Sequence, residues 1–420
     1  MINFCQITEH PDTQPILYLL KLNDSNLQWQ VNTFHNESQN LNIREIRNKL
    51  EQLLVEKIPG SKLLHCVILN NLWTFLPPFI LLFGTFGNIL AFFVICQRHL
   101  LKTSSYVYLA AIAIIDELIL LTGLLRRWSD HLVGSRIEDS NKFSCKIFQF
   151  IGVTVSFSSV WLIVFMTVER LIIIKLPLKV NRLVSPNKVK VYIVILIFCL
   201  SLLSSHFFET VSLNNQNNSN SNLVTTPLYR CNFKDKYYHF IRYWMMFEAL
   251  FYSIIPFILL IIFNGIILSL TYKASKTRST LVKQCYMTRQ FQSISHNRQK
   301  VVTNVSQLNH ETKQLTVMLV TISVAFLCTT TPLVTYKLIL KVINNTDDVR
   351  YLAIRQLMDT IFELLMYINH SINFYIYCAS GRRFRTQLWK IFHHNKPGFT
   401  SVSFAKNGGR MVSIVNPANR

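Results

Sequence analysis

Charge is scarce in this chain of 420 residues: Asp, Glu, Lys and Arg together make up 15% of it, while 50% is hydrophobic. A soluble protein carries about a quarter charged residues, so a water-exposed globule is excluded as the main body. Acids are the rarer sign, 21 against 43 Lys and Arg, giving a formal net charge of +22. That excess alone would suggest nucleic acid. The basic residues sit in stretches between apolar runs, however, so membrane topology accounts for them and no nucleic-acid partner is expected. The patterns G-x-x-x-x-G-K, H-E-x-x-H and G-x-S-x-G are absent, which removes the phosphate-cradling, zinc-protease and nucleophile-elbow chemistries. The nine cysteines contain no C-x-x-C, so no metal site is read from them. His206 and His370 lack an obvious partner for an intramembrane enzyme, and no internal repeat supports a transporter. The first thirty residues lack a basic start followed by an apolar stretch, so the first long span is expected to direct insertion.

Long apolar runs are what the chain does have. Seven are read, at residues 71–96, 105–128, 145–174, 189–208, 240–272, 315–340 and 351–378. Crossing the hydrocarbon core takes roughly 20 apolar residues in a helix, and a helix is required because backbone groups in lipid must pair internally. The fold class expected is an all-α membrane protein, a seven-transmembrane helix bundle with a short amphipathic eighth helix. Residues 1–70 read as an N-terminal tail, with a candidate amphipathic helix at 43–64. Residues 71–380 form the seven-span domain, interrupted by an Asn/Ser-rich loop at 214–222 and a long basic loop at 273–313. Residues 381–420 hold an amphipathic helix and a tail. Phe384, Leu388, Trp389 and Phe392 line one side of that helix and Arg and Lys the other, which suits a membrane surface.

Basic residues in the short loops set the orientation. Arg98 and Lys102 mark the first loop. Lys175, Lys179, Arg182, Lys188 and Lys190 mark the third, which has no acid. These sides are expected to be cytoplasmic, with the N-terminus extracellular and the C-terminus cytoplasmic in the plasma membrane. Glycosylation acceptor triplets at Asn23, Asn36 and Asn217, and another at Asn344, fall on the outer side. The signal is weak, because Asn304 and Asn369 also match.

Ionisable groups within a span are costly and default to functional candidates. Asp116 lies mid-depth in the second span; Glu169 and Arg170 lie at the inner end of the third. The segment Val168-Glu169-Arg170-Leu171 through Pro177-Leu178 resembles the E/D-R-Y-x-x-I-x-x-P-L signature of rhodopsin-like G-protein-coupled receptors. Gly87-Asn88, Asp116, Cys145, Pro256, Phe326 with Pro332, Asn373-Phe374-Tyr375-Ile376-Tyr377 and Phe384-Arg385 fall in the order and spacing of that family's motifs. The resemblance covers about residues 69–391. Leu171, Thr330, Phe374 and Asn264 depart from its usual Tyr, Trp, Pro and Tyr, and the fourth span lacks a Trp. Several departures are similar to invertebrate receptors of the FMRFamide type.

The resemblance implies roles. Glu169 would hold Arg170 in the inactive receptor; released, Arg170 would meet a heterotrimeric G protein. Asn373 and Tyr377 would be moving polar residues of the seventh span. Asp116, Ser159, Asn369 and Asn373 match an allosteric sodium pocket, and no other metal or cofactor is expected. Cys145 and Cys231 would form a disulfide on the oxidising side, with Cys5 and Cys66 a second candidate pair and the other five cysteines free. Receptor kinases, arrestin and membrane lipid would be further partners.

The ligand class follows from what two positions lack. An amine receptor of this family needs an Asp where Gly152 stands, and an opsin needs a Lys where Tyr367 stands. An extracellular peptide of FMRFamide-like kind fits better, with a non-peptide ligand as the alternative. Arg126, Arg127, Trp128, Gln149, Glu248, Tyr336, Asp359 and Glu363 lie at the outer ends of the spans. A peptide arginine would suit Glu363, Asp359 or Glu248, because bidentate Arg–carboxylate pairs are strong. The competing expectation is that such charges pair internally, Arg126 with Glu363 for example. The loop at 210–238, tethered at Cys231, is long enough for a hairpin lid.

Overall fold

The computed structural model describes residues 60–176, 184–215, 229–289, 314–333, 335–336, 349–393, 403–407 and 410–414. The acceptor sites Asn23, Asn36, Asn217 and Asn344, most of the N-terminal tail, Cys5 and Pro177-Leu178 lie outside them.

Seven long helices form the body. Helix α1 spans Gly60–Ile95, beginning upstream of the run read from hydropathy, so that the end of the expected amphipathic segment is continuous with the first span. Helix α2 runs Ser104–Val133 through a π turn at Leu120–Leu125. Gly134 stops it in a left-handed conformation (φ 74°) that a side chain would resist. Helix α3 is Lys142–Lys175, capped by Asn141, whose side chain accepts from the Ser144 amide. Helix α4 is Pro186–Ser204; Ser185 caps it and Pro186, which has no N–H to lose, opens it.

A hairpin follows, β1 Val211–Asn215 against β2 Tyr229–Phe233, antiparallel, with Leu213 opposite Cys231. This is the hairpin expected of the 210–238 loop. Helix α5 starts as Tyr238–Ala249, passes a π turn at Leu250–Ile254, and continues as Ile255–Arg289. The stretch 273–313, expected to be loop, therefore begins as helix. Nothing between Lys273 and Arg289 is Gly or Pro, so no residue there stops a helix already under way. Helix α6 is described over Gln314–Leu333, α7 is Val349–Ser380, and the short α8 is Arg382–His393. A second hairpin, Ser403–Asn407 with Arg410–Ile414, lies in the C-terminal stretch.

Helices α1 to α6 are each long and apolar enough to cross a membrane. Helix α7 has the length, but Asn369, His370, Asn373 and its tyrosines dilute it. The first three of these are buried rather than exposed to lipid. The chain is a multi-pass membrane protein, and its surface agrees. Phe75, Phe79, Leu82, Phe86 and Phe93 lie along one face of α1, and Leu82 is 65% exposed. Such a stripe in water would be a liability; in lipid it is the ordinary outer face.

Helix α1 packs against α7 and α2, α2 against α3 and α4, and α3 against α4 and α5. A close approach is at Gly84, where a Cβ would lie 2.6 Å from both the Leu120 side chain and Ser371 Oγ. Gly381 joins α7 to α8 where a Cβ would come within 2.7 Å of the Tyr377 carbonyl oxygen. Phe384 then seats α8 under the bundle, its ring 5.5 Å from that of Tyr377 and 5.8 Å from that of Phe374.

Candidate functional site

Three polar assemblies are strung through the bundle along α2, α3 and α7. The central one is built on Asp116, 1% exposed. A carboxylate at that depth must have its lone pairs satisfied. Asn373 donates from Nδ2 to Oδ2 at 2.6 Å, His370 Nδ1 lies 2.7 Å from Oδ1, and Ser159 donates more loosely to Oδ1 at 3.5 Å. Asn88 donates from Nδ2 to the His370 carbonyl at 3.2 Å, which ties α1 into the same knot. Of the four residues expected to hold sodium, Ser159 and Asn373 touch Asp116, and no hydrogen bond joins Asn369 to it among the described residues. His370, which has no obvious partner in the sequence, finds one in this carboxylate. A polar residue three positions before Asn373 is the available signal, but pairing it with Asp116 needs the packing of α2 on α7. The donor set suits a sodium ion poorly, because nitrogen atoms of Asn373 and His370 lie against both carboxyl oxygens and leave a cation only a shared place there.

The second assembly lies toward the α3 end that carries Arg170. Glu169, 4% exposed, accepts from Ser105 Oγ at 2.9 Å and from Ser104 Oγ. Among the described residues no ion pair joins Glu169 to Arg170, so the clasp expected between neighbours is replaced by two hydroxyls of α2. Sequence neighbours on a helix point about 100° apart, which favours a partner on the facing helix. Arg170 is 3% exposed, and its Nε and Nη2 have no hydrogen-bond partner. It lines a crevice between α3, α5 and α6 with Thr167, Asn264 and Thr316. Thr167 and Ser323 hydroxyls lie 3.4 Å apart across α3 and α6, and Gln314 donates to the Ser380 carbonyl at 3.1 Å, tying α6 to α7. The Tyr377 hydroxyl is buried without a partner. A buried guanidinium with free N–H groups has the chemistry to receive a carbonyl or carboxylate once these helices separate.

The third assembly is at the opposite end. Cys145 and Cys231 form a disulfide that fixes β2 to the start of α3. The Cys231 amide also donates to Asp139 Oδ1 at 2.7 Å. Beside it, Glu138 is 2% exposed and gathers Arg126 (3.1 Å), Gln149 (3.4 Å) and Arg136. Arg126 also meets Asp130 at 3.4 Å. Burial pushes the Arg136 guanidinium below its ordinary value, partly offset by Asp139. Sequence reasoning alone does not single out Glu138 and Asp130; an acid two residues from Arg136, just before Cys145, is the cue. Glu363 pairs with Arg127 at 2.5 Å and accepts from the Tyr367 hydroxyl at 3.4 Å. The internal pair is thus Arg127–Glu363, not Arg126–Glu363. The difference is one of helix face, since the π turn at Leu120–Leu125 rotates everything after it. Tyr336 donates to the Arg355 carbonyl at 3.2 Å and packs on Phe362. Glu248 and Asp359 lie on α5 and α7 at the same end. Cys96, Cys199, Cys328 and Cys378 are free; Cys285 and the side chain of Cys66 lie outside the described side chains.

Comparison with known proteins accords with this architecture. Residues 87–377 match the model of the 7 transmembrane receptor (rhodopsin family). The rabbit (Oryctolagus cuniculus) "growth hormone secretagogue receptor type 1" is 31% identical over 122 residues, 28% of this chain and 32% of that protein. The mouse (Mus musculus) "thyrotropin-releasing hormone receptor" is 22% identical over 318 residues, 73% of this chain and 75% of that receptor. An "FMRFamide peptide receptor" of Caenorhabditis elegans is 25% identical over 213 residues, 49% of this chain and 48% of that one. The match to the secretagogue receptors spans about a third of their length. With a family match that runs from Gly87 in α1 to Tyr377 in α7 and takes in all seven helices, the chain belongs to the rhodopsin family of seven-transmembrane receptors, a receptor family rather than an enzyme family.

Proposed function

We propose that this receptor takes an extracellular peptide at its Cys145 end and passes the event to a heterotrimeric G protein at its Arg170 end. The observation that carries the ligand class is the Arg127–Glu363 pair with Tyr367 beneath it. It lies on α2 and α7, at the same end as the tethered hairpin. A peptide arginine has the chemistry to exchange for Arg127 on Glu363, one charge-assisted contact replacing another. Gly152 and Tyr367 give an amine or a retinal nothing to hold. The relatives named for peptides support the same class.

In this reading the N-terminus is extracellular, with Asn23, Asn36 and Asn217 glycosylated, and the protein resides in the plasma membrane. The basic stretches at 175–190 and 273–313 face acidic lipid headgroups and the G protein. Receptor kinases and arrestin act on the Ser and Thr of the long loop and tail. The test is to express the chain with a promiscuous G protein and apply a library of amidated peptides. A calcium or cAMP response that is lost in Arg170→Ala and weakened in Glu363→Gln is expected. Silence across a broad library, with the receptor at the cell surface, overturns the peptide reading.

A further inference from the structure

The pocket around Asp116 is the place where members of this family would be expected to admit a sodium ion, and in this chain a side chain already stands there. We propose that His370 fills the cation's place at Asp116, so that the α2–α7 contact is closed by the protein's own imidazole and the receptor has no sodium site.

The argument begins with what a hard monovalent cation needs, namely a cage of oxygens. Asp116 offers two. Oδ1 faces His370 Nδ1 at 2.7 Å, and Oδ2 takes the Asn373 amide nitrogen at 2.6 Å. The Asn373 contact is a short N–H···O bond to a carboxyl oxygen, and the His370 contact is as short, with the proton on either the ring or the carboxyl. A cation would have to share each oxygen with a partner already 2.6 or 2.7 Å away. The hydroxyl of Ser159 is at 3.5 Å from the same Oδ1 that His370 occupies, so the remaining oxygen donor reaches the carboxylate only alongside the ring.

The backbone that carries the ring is also held. The His370 carbonyl accepts from Asn88 on α1, and Ser371 beside it donates to the carbonyls of Tyr367 and Ile80 at 3.0 and 3.3 Å. His370 is 2% exposed and Asp116 1%, so the imidazole can leave Asp116 only by turning within packed surroundings. A sodium ion would therefore cost the His370–Asp116 contact that joins α7 to α2. The inference concerns ion binding and does not depend on which ligand the receptor takes.

The test uses the full chain purified into nanodiscs. Thermal unfolding is followed while sodium chloride is titrated against choline chloride at constant ionic strength. A specific ligand raises the midpoint by mass action. For an ion at ten times its dissociation constant, the rise in a protein of this size is about 2 °C. Wild type is expected to show no sodium-specific rise. His370→Ser removes the ring and leaves a hydroxyl, and is expected to gain a saturable rise of that order, which Asp116→Asn in the same background abolishes. A saturable sodium-specific rise in wild type, lost on Asp116→Asn, overturns the proposal. So does a folded His370→Ser that stays indifferent to sodium. If His370→Ser does not fold, His370→Ala carries the same expectation, and the wild-type titration decides by itself whether a sodium site exists.

Discussion

Replacing Gly84 by Ala tests a close contact of α1 with α2 and α7. A Cβ at Gly84 would meet Leu120 Cδ1 and Ser371 Oγ at 2.6 Å and Ser371 Cβ at 3.0 Å. Ordinary carbon contacts begin near 3.5 Å, so the overlap approaches 1 Å on two sides. Leu120 can turn its methyl aside. Ser371 cannot do so freely, because its hydroxyl is spent on the Ile80 and Tyr367 carbonyls. Overpacking of this kind costs about 1–3 kcal/mol, while Gly→Ala in a helix returns about 1 kcal/mol. Gly265→Ala is the control, since a Cβ there meets nothing within 4 Å, and it should keep the helix gain whole. The two variants are expected to differ by about 1–3 kcal/mol, which in a protein of this size is a gap of about 1 °C in unfolding midpoint per kcal/mol. Midpoints measured side by side in one detergent would read this gap. Adding Ser371→Gly to Gly84→Ala removes the two Ser371 atoms and leaves only the movable Leu120 methyl, and a cycle over the four proteins should return a favourable coupling of about 0.5 kcal/mol or more. If Gly84→Ala proves as stable as Gly265→Ala, then α1 does not approach α7 as described, and the register of Asn88 on His370 falls with it.

Three further outcomes are expected. Cys145→Ser frees β2 from α3; the bond closes a separation of 86 residues, so the loss should be about 2–5 kcal/mol, read as reduced surface expression and a lower midpoint. Ser104→Ala with Ser105→Ala strips the buried Glu169 carboxylate of both donors and should cost at least about 2 kcal/mol, whereas the same double change with Glu169→Leu should recover some of it. Reversing one charge, Arg127→Glu, should impair surface expression or ligand response by about tenfold or more, and adding Glu363→Arg should restore some of it if the pair is as described.

Much of the fold is legible in the sequence because lipid enforces it. Seven apolar runs must be helices, although the runs stop at 128 and start at 145 and 189, short of the helix ends that Gly134, Asn141 and Pro186 mark. The continuation of α5 to Arg289 is not, because polar composition suggests a loop, although polar residues without Gly or Pro end a membrane span and not a helix. Within the site, Asp116 is readable from its depth in a span, and Asn373 and the disulfide from the resemblance to rhodopsin-like receptors. Their partners are not. Ser104 and Ser105 meet Glu169 across 64 residues or more, and His370 meets Asp116 across 254. Such pairs are fixed by which faces of α2, α3 and α7 turn toward one another. The π turn in α2 shows how a single added residue per turn moves Arg127, in place of Arg126, onto Glu363.

The length of α5 has a mechanical meaning. From Pro256 to the helix end at Arg289 the rod is about 50 Å long, at about 1.5 Å per residue. The apolar run read in the sequence ends at Tyr272, so the last 17 residues, to Arg289, project about 25 Å past it. A π turn at Leu250–Ile254 lies just before the proline. A pivot near one end of a stiff rod works as a lever: a tilt of about 10° at that turn, of the order a proline-associated kink can absorb, swings the far tip by about 9 Å. Asn264, which lines the crevice with Arg170, stands only about 12 Å along the rod from Pro256, so the same tilt moves it by about 2 Å while the tip sweeps the full distance.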